Sequence, residues 1–166
     1  MRIELKNIKH VESMSEETFC FNASLYVDGK RVGAVSNRGH GGCHEYDVNN
    51  DTVRELNQWC KENLPKWSMD DQEYETDLEL HISNLVADFL DTKHIKNLLK
   101  RSVVVMDDTC EEGECWVYKF SQYRHLQRDE LISGVVARTS SDERLINPVV
   151  LNTLPLGEAR HIFYRT

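Results

Sequence analysis

From Phe19 to Val27 apolar and polar residues alternate, with Phe19, Phe21, Ala23, Leu25 and Val27 on one side of an extended chain and Cys20, Asn22, Ser24 and Tyr26 on the other. A period of two predicts a half-buried strand. Asp28-Gly29 follows, a pair suited to a type I′ turn because both central positions of that turn need positive φ. With Val27 opposite Lys30, an unbroken register sets Leu25 beside Val32, Ala23 beside Ala34 and Phe21 beside Ser36, giving the hairpin an apolar side that must be covered. Ile3 to Leu5 reads as a further strand of the same sheet, joined through 13–18.

Helical spacing takes over after residue 50. Asn50-Asp51 can cap a helix over 52–63, in which Val53, Leu56 and Cys60 recur on one face and which Pro65 stops. Leu78, Ile82, Leu85, Val86, Phe89 and Leu90 form one continuous apolar stripe. Acidic residues crowd the start of that helix and Lys93, Lys96, Lys100 and Arg101 its end, which complements the helix dipole; a break is expected near Asp91-Thr92. Val103 to Met106 and 115–120 read as a second hairpin. Leu131, Ile132, Val135 and Val136 predict a helix weakened by Gly134, Ser140 to Glu143 a capping box for a short turn before Pro148, and 151–164 a short closing helix. The expected class is α+β, a single compact domain over 1–166 with antiparallel hairpins packed against helices.

Composition narrows the function classes. The chain has 166 residues, 40% hydrophobic and 29% charged, too apolar for a disordered protein and long enough for a core that needs no disulfide or metal staple. The opening sequence alternates charged and aliphatic residues without an apolar h-region, and no run approaches the ~20 apolar residues of a membrane helix, so a cytosolic protein with no membrane partner is expected. Five scattered cysteines, an odd number, fit reduced thiols, and the Cys110/Cys115 spacing is too wide for a zinc knuckle.

The net charge of -8 speaks against generic nucleic-acid binding, which works by neutralising phosphates with Lys and Arg. Its position says more than its size. Residues 45–91 hold thirteen Asp and Glu against three Lys and Arg, while 1–44 and 116–166 are slightly basic. Asp70, Asp71, Glu73, Glu75, Asp77 and Glu79 are the densest part, with Tyr74 among them. Such a run is either a solvated loop and helix start or an acidic surface for a basic groove on a partner.

The second unusual segment is Asn37-Arg38-Gly39-His40-Gly41-Gly42-Cys43-His44, directly after a strand. Its glycines permit positive φ and close approach of backbone to a ligand. It lacks the Lys-Ser/Thr of a P-loop, so no nucleotide or other cofactor is expected. His40, Cys43 and His44 are capable zinc ligands, with Asp47 or His81 as a fourth, yet no standard spacing is met. A tight exit from the hairpin, with the imidazoles bonded to neighbouring backbone, accounts for the same residues. A catalytic reading would make Cys43 a nucleophile with a histidine base, or Glu45 a base beside a metal.

The stretches Leu5 to His10, Ser15 to Phe21, Leu25 to Lys30 and Val35 to Gly42, with Leu98 to Arg101 and Leu151 to Ala159 further on, resemble a group of small bacterial and phage-type proteins to which no activity is assigned. The resemblance implies a phage- or mobile-element-associated accessory protein and transfers no catalytic residue. Two functions are therefore expected in competition. One is a non-enzymatic protein that binds a host or viral macromolecule, in its sharpest form an anti-defence inhibitor of a nucleic-acid-handling complex, through Asp70, Asp71, Glu73, Glu75 and the loop with Asn37, Gly39, His40, Gly41, Gly42 and His44. The other is a small enzyme or ligand-binding protein built on loop 37–44, in one form metal-dependent.

Overall fold

Strands β2 (Phe21–Val27) and β3 (Lys30–Asn37) pair antiparallel in the computed structural model, with Val27 opposite Lys30. Asp28 and Gly29 have φ of 47° and 79°, as a type I′ turn requires. Beyond Tyr26 the ladder slips by one residue. Val32 is left without a partner, and Leu25 faces Gly33, Ala23 faces Val35 and Phe21 faces Asn37. The unbroken register expected from the turn, with Leu25, Ala23 and Phe21 beside Val32, Ala34 and Ser36, is thus corrected by a β-bulge. One extra residue sends every later side chain to the opposite face, so Val35 and Asn37 turn inward, 1% and 4% exposed, in place of Ala34 and Ser36. Burying a valine instead of an alanine removes more apolar surface from water.

The described residues are 1–111 and 113–165. They fall into two compact units, Met1–Asp88 and Phe89–Thr166. The α+β class holds: four helices accompany antiparallel sheets.

In the first unit, β1 (Ile3–His10) flanks β2, and β4 (Glu45–Asp47) flanks β3, giving the order β1-β2-β3-β4. β1 outruns the expected Ile3–Leu5, passing an irregularity where Asn7 has φ 55°. β4 lies so close to β3 that a Cβ on Gly33 would sit 2.1 Å from the Asp47 carbonyl oxygen; glycine is required there by space. Helix α1 (Asn50–Asn63) begins two residues earlier than expected, capped by Asn49, whose side chain accepts from the Asp51 amide at 2.8 Å. It buries Leu56 and Cys60. The polar stretch after Pro65 is a small hairpin, β5 (Trp67–Met69) with β6 (Gln72–Tyr74). Asp70 and Asp71 form its turn at φ 50° and 60°.

Helix α2 (Leu78–Arg101) runs without the break expected at Asp91-Thr92. Asp and Thr each cost well under about 1 kcal/mol inside a helix, and fully buried Ile95 carries the apolar stripe past them.

The second unit is organised around β7 (Ser102–Met106), buried at all five positions between β8 (Trp116–Lys119) and β9 (Val149–Val150). Val103 and Val105 pack with Leu131 and Val135 of α3 (Arg128–Ser140). Val104 and Met106 pack on the opposite face with Ile95, Leu151 and, from α4 (Leu156–Tyr164), Ala159 and Phe163. Coverage on both faces explains why β7 reads as an unbroken β-branched run instead of an alternation. Asn152 clamps its start: its side-chain oxygen accepts from the Val104 amide at 2.8 Å, and its nitrogen donates to the carbonyls of Ser102 at 2.9 Å and Leu99 at 3.2 Å. Ser140 to Glu143 form no capping box, because Ser140 ends α3; the box sits at Gln127 and Glu130, at the other end of that helix. Among the described residues no helix is long and apolar enough to cross a membrane.

Candidate functional site

The bulge at Val32 decides the chemistry of loop 37–44, because it points Asn37 inward at the end of β3. A buried amide needs its donors and acceptors matched, and Asn37 finds partners for both. Its oxygen accepts from the Gly39 amide and from the Thr18 hydroxyl, each at 2.8 Å. Its nitrogen donates to the Gly42 carbonyl at 2.8 Å and lies 3.1 Å from Nδ1 of His44. One side chain thus fixes both ends of the Gly/His loop. Gly39 is buried under segment 14–18: its carbonyl accepts from the amides of Glu16 and Glu17 at 2.9 and 3.0 Å. A Cβ there would meet the Met14 carbonyl oxygen at 2.0 Å, and the φ of 88° is itself a glycine conformation.

The three candidate zinc ligands diverge. His40 is exposed and meets Glu16 at 3.1 Å. Cys43 is exposed. His44 turns inward, its side chain 6% exposed, with Phe21 edge-on at 5.2 Å between ring centres. Among the described residues no three His, Cys, Asp or Glu side chains are grouped to hold a metal.

His44 instead bridges the loop to α2. Its amide donates to Glu79 Oε1 at 2.7 Å, and its Nε2 lies 3.1 Å from Ser83 Oγ. Nδ1 is 3.3 Å from Glu79 Oε1, and Tyr46 donates to Glu79 Oε2 at 3.3 Å. A serine, a histidine and a carboxylate in series invite comparison with a hydrolytic triad, and the hydrogen bonding argues against it. The Gly39 amide and the Thr18 hydroxyl fix which end of Asn37 is oxygen, so its NH2 group faces Nδ1 and that nitrogen accepts. The proton then sits on Nε2 and is donated to Ser83. A base that takes a serine proton needs the other tautomer.

Burial lowers the His44 pKa from its ordinary 6.5, more than the nearby Glu79 and Asp77 carboxylates raise it. The ring is therefore neutral near pH 7. The same desolvation lowers His81. Burial, with Glu79 next, raises the Tyr46 phenol far above its usual range. Nothing local in the sequence marks Thr18, Glu79 or Ser83 as partners of this loop, since they stand 19 residues before Asn37 and 35 and 39 residues after His44.

The acidic candidates lie elsewhere on the same unit. Asp70, Asp71, Glu73 and Glu75 are all exposed, the first two at the β5–β6 turn. Trp67 and Tyr74 stack across the hairpin with ring centres 4.8 Å apart. Both remain partly open to solvent, and Met69 is 52% exposed. Among the described residues the run is paired at long range with Lys66, 3.7 Å from Glu73, and Lys61, 3.8 Å from Glu75. Two clefts border these features. One of about 350 Å³ is lined by Glu16, Thr18, Phe19, His44 and Ser83; the other, of about 610 Å³, by Trp67, Glu73, Tyr74, Glu75 and Glu79.

Compared with family models, with curated proteins and with solved structures, the chain finds no match.

Proposed function

We propose that the protein is a non-enzymatic binding module that engages a basic surface of a host or viral macromolecule through the β5–β6 hairpin. The observation that carries this reading is the folding of the acidic run into a defined ribbon. A solvated charge run needs no structure, whereas this one displays a stacked Trp67–Tyr74 pair and an exposed Met69 beside Asp70, Asp71, Glu73 and Glu75. Interfaces are enriched in tryptophan, tyrosine and methionine, and hot spots in tryptophan and tyrosine, while complementary charge speeds encounter and selects the partner. Given the phage-type resemblance read from the sequence, the proposed partner belongs to a nucleic-acid-handling complex, bound as protein and in the cytosol of a host cell. Exchanging Asp70, Asp71, Glu73 and Glu75 for lysine should abolish retention of the partner in pull-downs while thermal unfolding stays unchanged. Undiminished retention by that variant would refute the reading.

The cleft beside His44 supports a second reading, a small-ligand site on loop 37–44. It predicts that a bound ligand protects the amides of 38–43 from exchange and that His44→Ala, but not the four-lysine variant, removes that protection.

A further inference from the structure

We propose that β8 is a docking edge for an extended acidic peptide segment, which adds to the second unit's sheet as a fourth strand. The order β8-β7-β9 ends at β8, so among the described residues one side of this strand has no neighbouring strand in the sheet. A sheet edge is a template for another extended chain, with backbone hydrogen bonds giving affinity and pockets for alternate side chains giving specificity. β8 has those pockets on both faces.

Side chains alternate along β8. Val117 and Lys119 line a cleft of about 650 Å³ with Leu98, Arg101 and Phe120. Trp116 and Tyr118 line another of about 320 Å³ with Arg138 and Arg144. An added strand would send successive side chains into one cleft and then the other. The larger cleft falls within the size range of ligand pockets, and its walls at Leu98, Val117 and Phe120 are apolar. β8 is also the uncovered strand of its sheet: Val117 is 38% and Trp116 54% exposed, whereas their β7 partners Val104 and Val105 are 0% and 1%.

Charge selects the occupant. Arg101 and Lys119 border the first cleft and Arg138 and Arg144 the second. Asp142 also lines the second cleft and holds Arg144 at 2.7 and 2.8 Å, so the side chains of the first cleft carry two net positive charges and those of the second one. A segment alternating aliphatic residues with carboxylates meets apolar walls and cationic rims together. A second copy would bring the same cations to the same place, which disfavours pairing of two β8 edges.

The test uses the full chain and a dye-labelled decapeptide alternating valine with glutamate, followed by fluorescence anisotropy. A valine–lysine decapeptide is the control. The acidic peptide should bind roughly tenfold or more tightly than the basic one, slow amide exchange at Val117 and Lys119, and lose at least that factor in the surface variant R101E/K119E. The charge-neutral hairpin variant D70N/D71N/E73Q/E75Q should bind it unchanged, which separates this edge from the acidic surface. Absence of binding up to about 1 mM, equal affinity for the two peptides, or protection confined to residues outside β8 would each overturn the proposal. So would concentration-dependent dimerisation of the free protein that R101E/K119E strengthens, because the edge would then belong to a second copy.

Discussion

Each unit contains an asparagine that ties down backbone groups the regular elements leave unpaired, and the two do so for different ends. Asn152 receives from the Val104 amide and donates to Ser102 and Leu99, locking the start of a strand that is buried on both faces. Asn37 holds the Gly39 amide, the Gly42 carbonyl and His44, locking a loop that leads to the surface. The surroundings differ as well. Residues 1–88 carry nine Lys and Arg against seventeen Asp and Glu, while 89–166 carry eleven of each, so the whole net charge of -8 belongs to the first unit. One asparagine serves packing, the other positions a polar surface. Two similar hydrogen-bond patterns thus say little about role until their neighbours are known.

The sharpest way to break the comparison is to remove the first clamp. Asn37→Ala should destabilise the protein on the order of 3 kcal/mol, since buried groups lose their partners, and should speed amide exchange throughout 38–43. Asn152→Ala should leave exchange in that loop unaltered while loosening β7. Urea unfolding with residue-resolved exchange checks both, and faster loop exchange in the Asn152 variant would undo the distinction.

Adding one methyl group should act with opposite sign in the two units. Gly33→Ala forces β3 away from the Asp47 carbonyl and should cost about 2 kcal/mol. Gly134→Ala, with nothing within 4 Å of the new Cβ, should stabilise α3 by about 0.5–1 kcal/mol. Thermal midpoints moving in the same direction for both would contradict the packing described.

A smaller effect comes from pH. A histidine whose pKa falls on folding binds fewer protons folded than unfolded, so stability rises with pH. The His44 and His81 contributions are fully present above the ordinary 6.5 and are lost as pH falls through their lowered values. Denaturation midpoints measured between about pH 7 and pH 5 should decline, less steeply in His44→Gln. An identical slope in that variant would mean that His44 does not titrate between those limits. The smallest change is Asp71→Gly, which should stabilise the β5–β6 turn by about 0.5 kcal/mol because glycine adopts positive φ freely. It should weaken partner retention far less than the four-lysine exchange, because three of the four carboxylates remain.

Period and turn chemistry determined much of this protein by themselves. Alternation from Phe19 to Val27 with Asp28-Gly29 announced the first hairpin, and the β-branched run at 103–106 announced a strand of a second. The stripe from Leu78 to Leu90 announced a long helix, and the acidity of 70–79 named an exposed surface. These are local signals, set by side-chain geometry within a few residues. The Asp70-Asp71 turn was harder to read, because its strands have only three residues each and two aspartates resemble a solvated run as much as a type I′ turn.

Tertiary structure decided the rest. The bulge at Val32 depends on which of Ala34 and Val35 the core takes, and it alone turns Asn37 inward and makes it the centre of the loop. His44 looks like a metal ligand by residue type, yet its proton position follows from an amide oriented by Gly39 and Thr18, and its partners Glu79 and Ser83 arrive from a helix more than thirty residues away. Burial, register and hydrogen-bond partnership are properties of residues brought together from distant parts of the chain, and no local pattern encodes them.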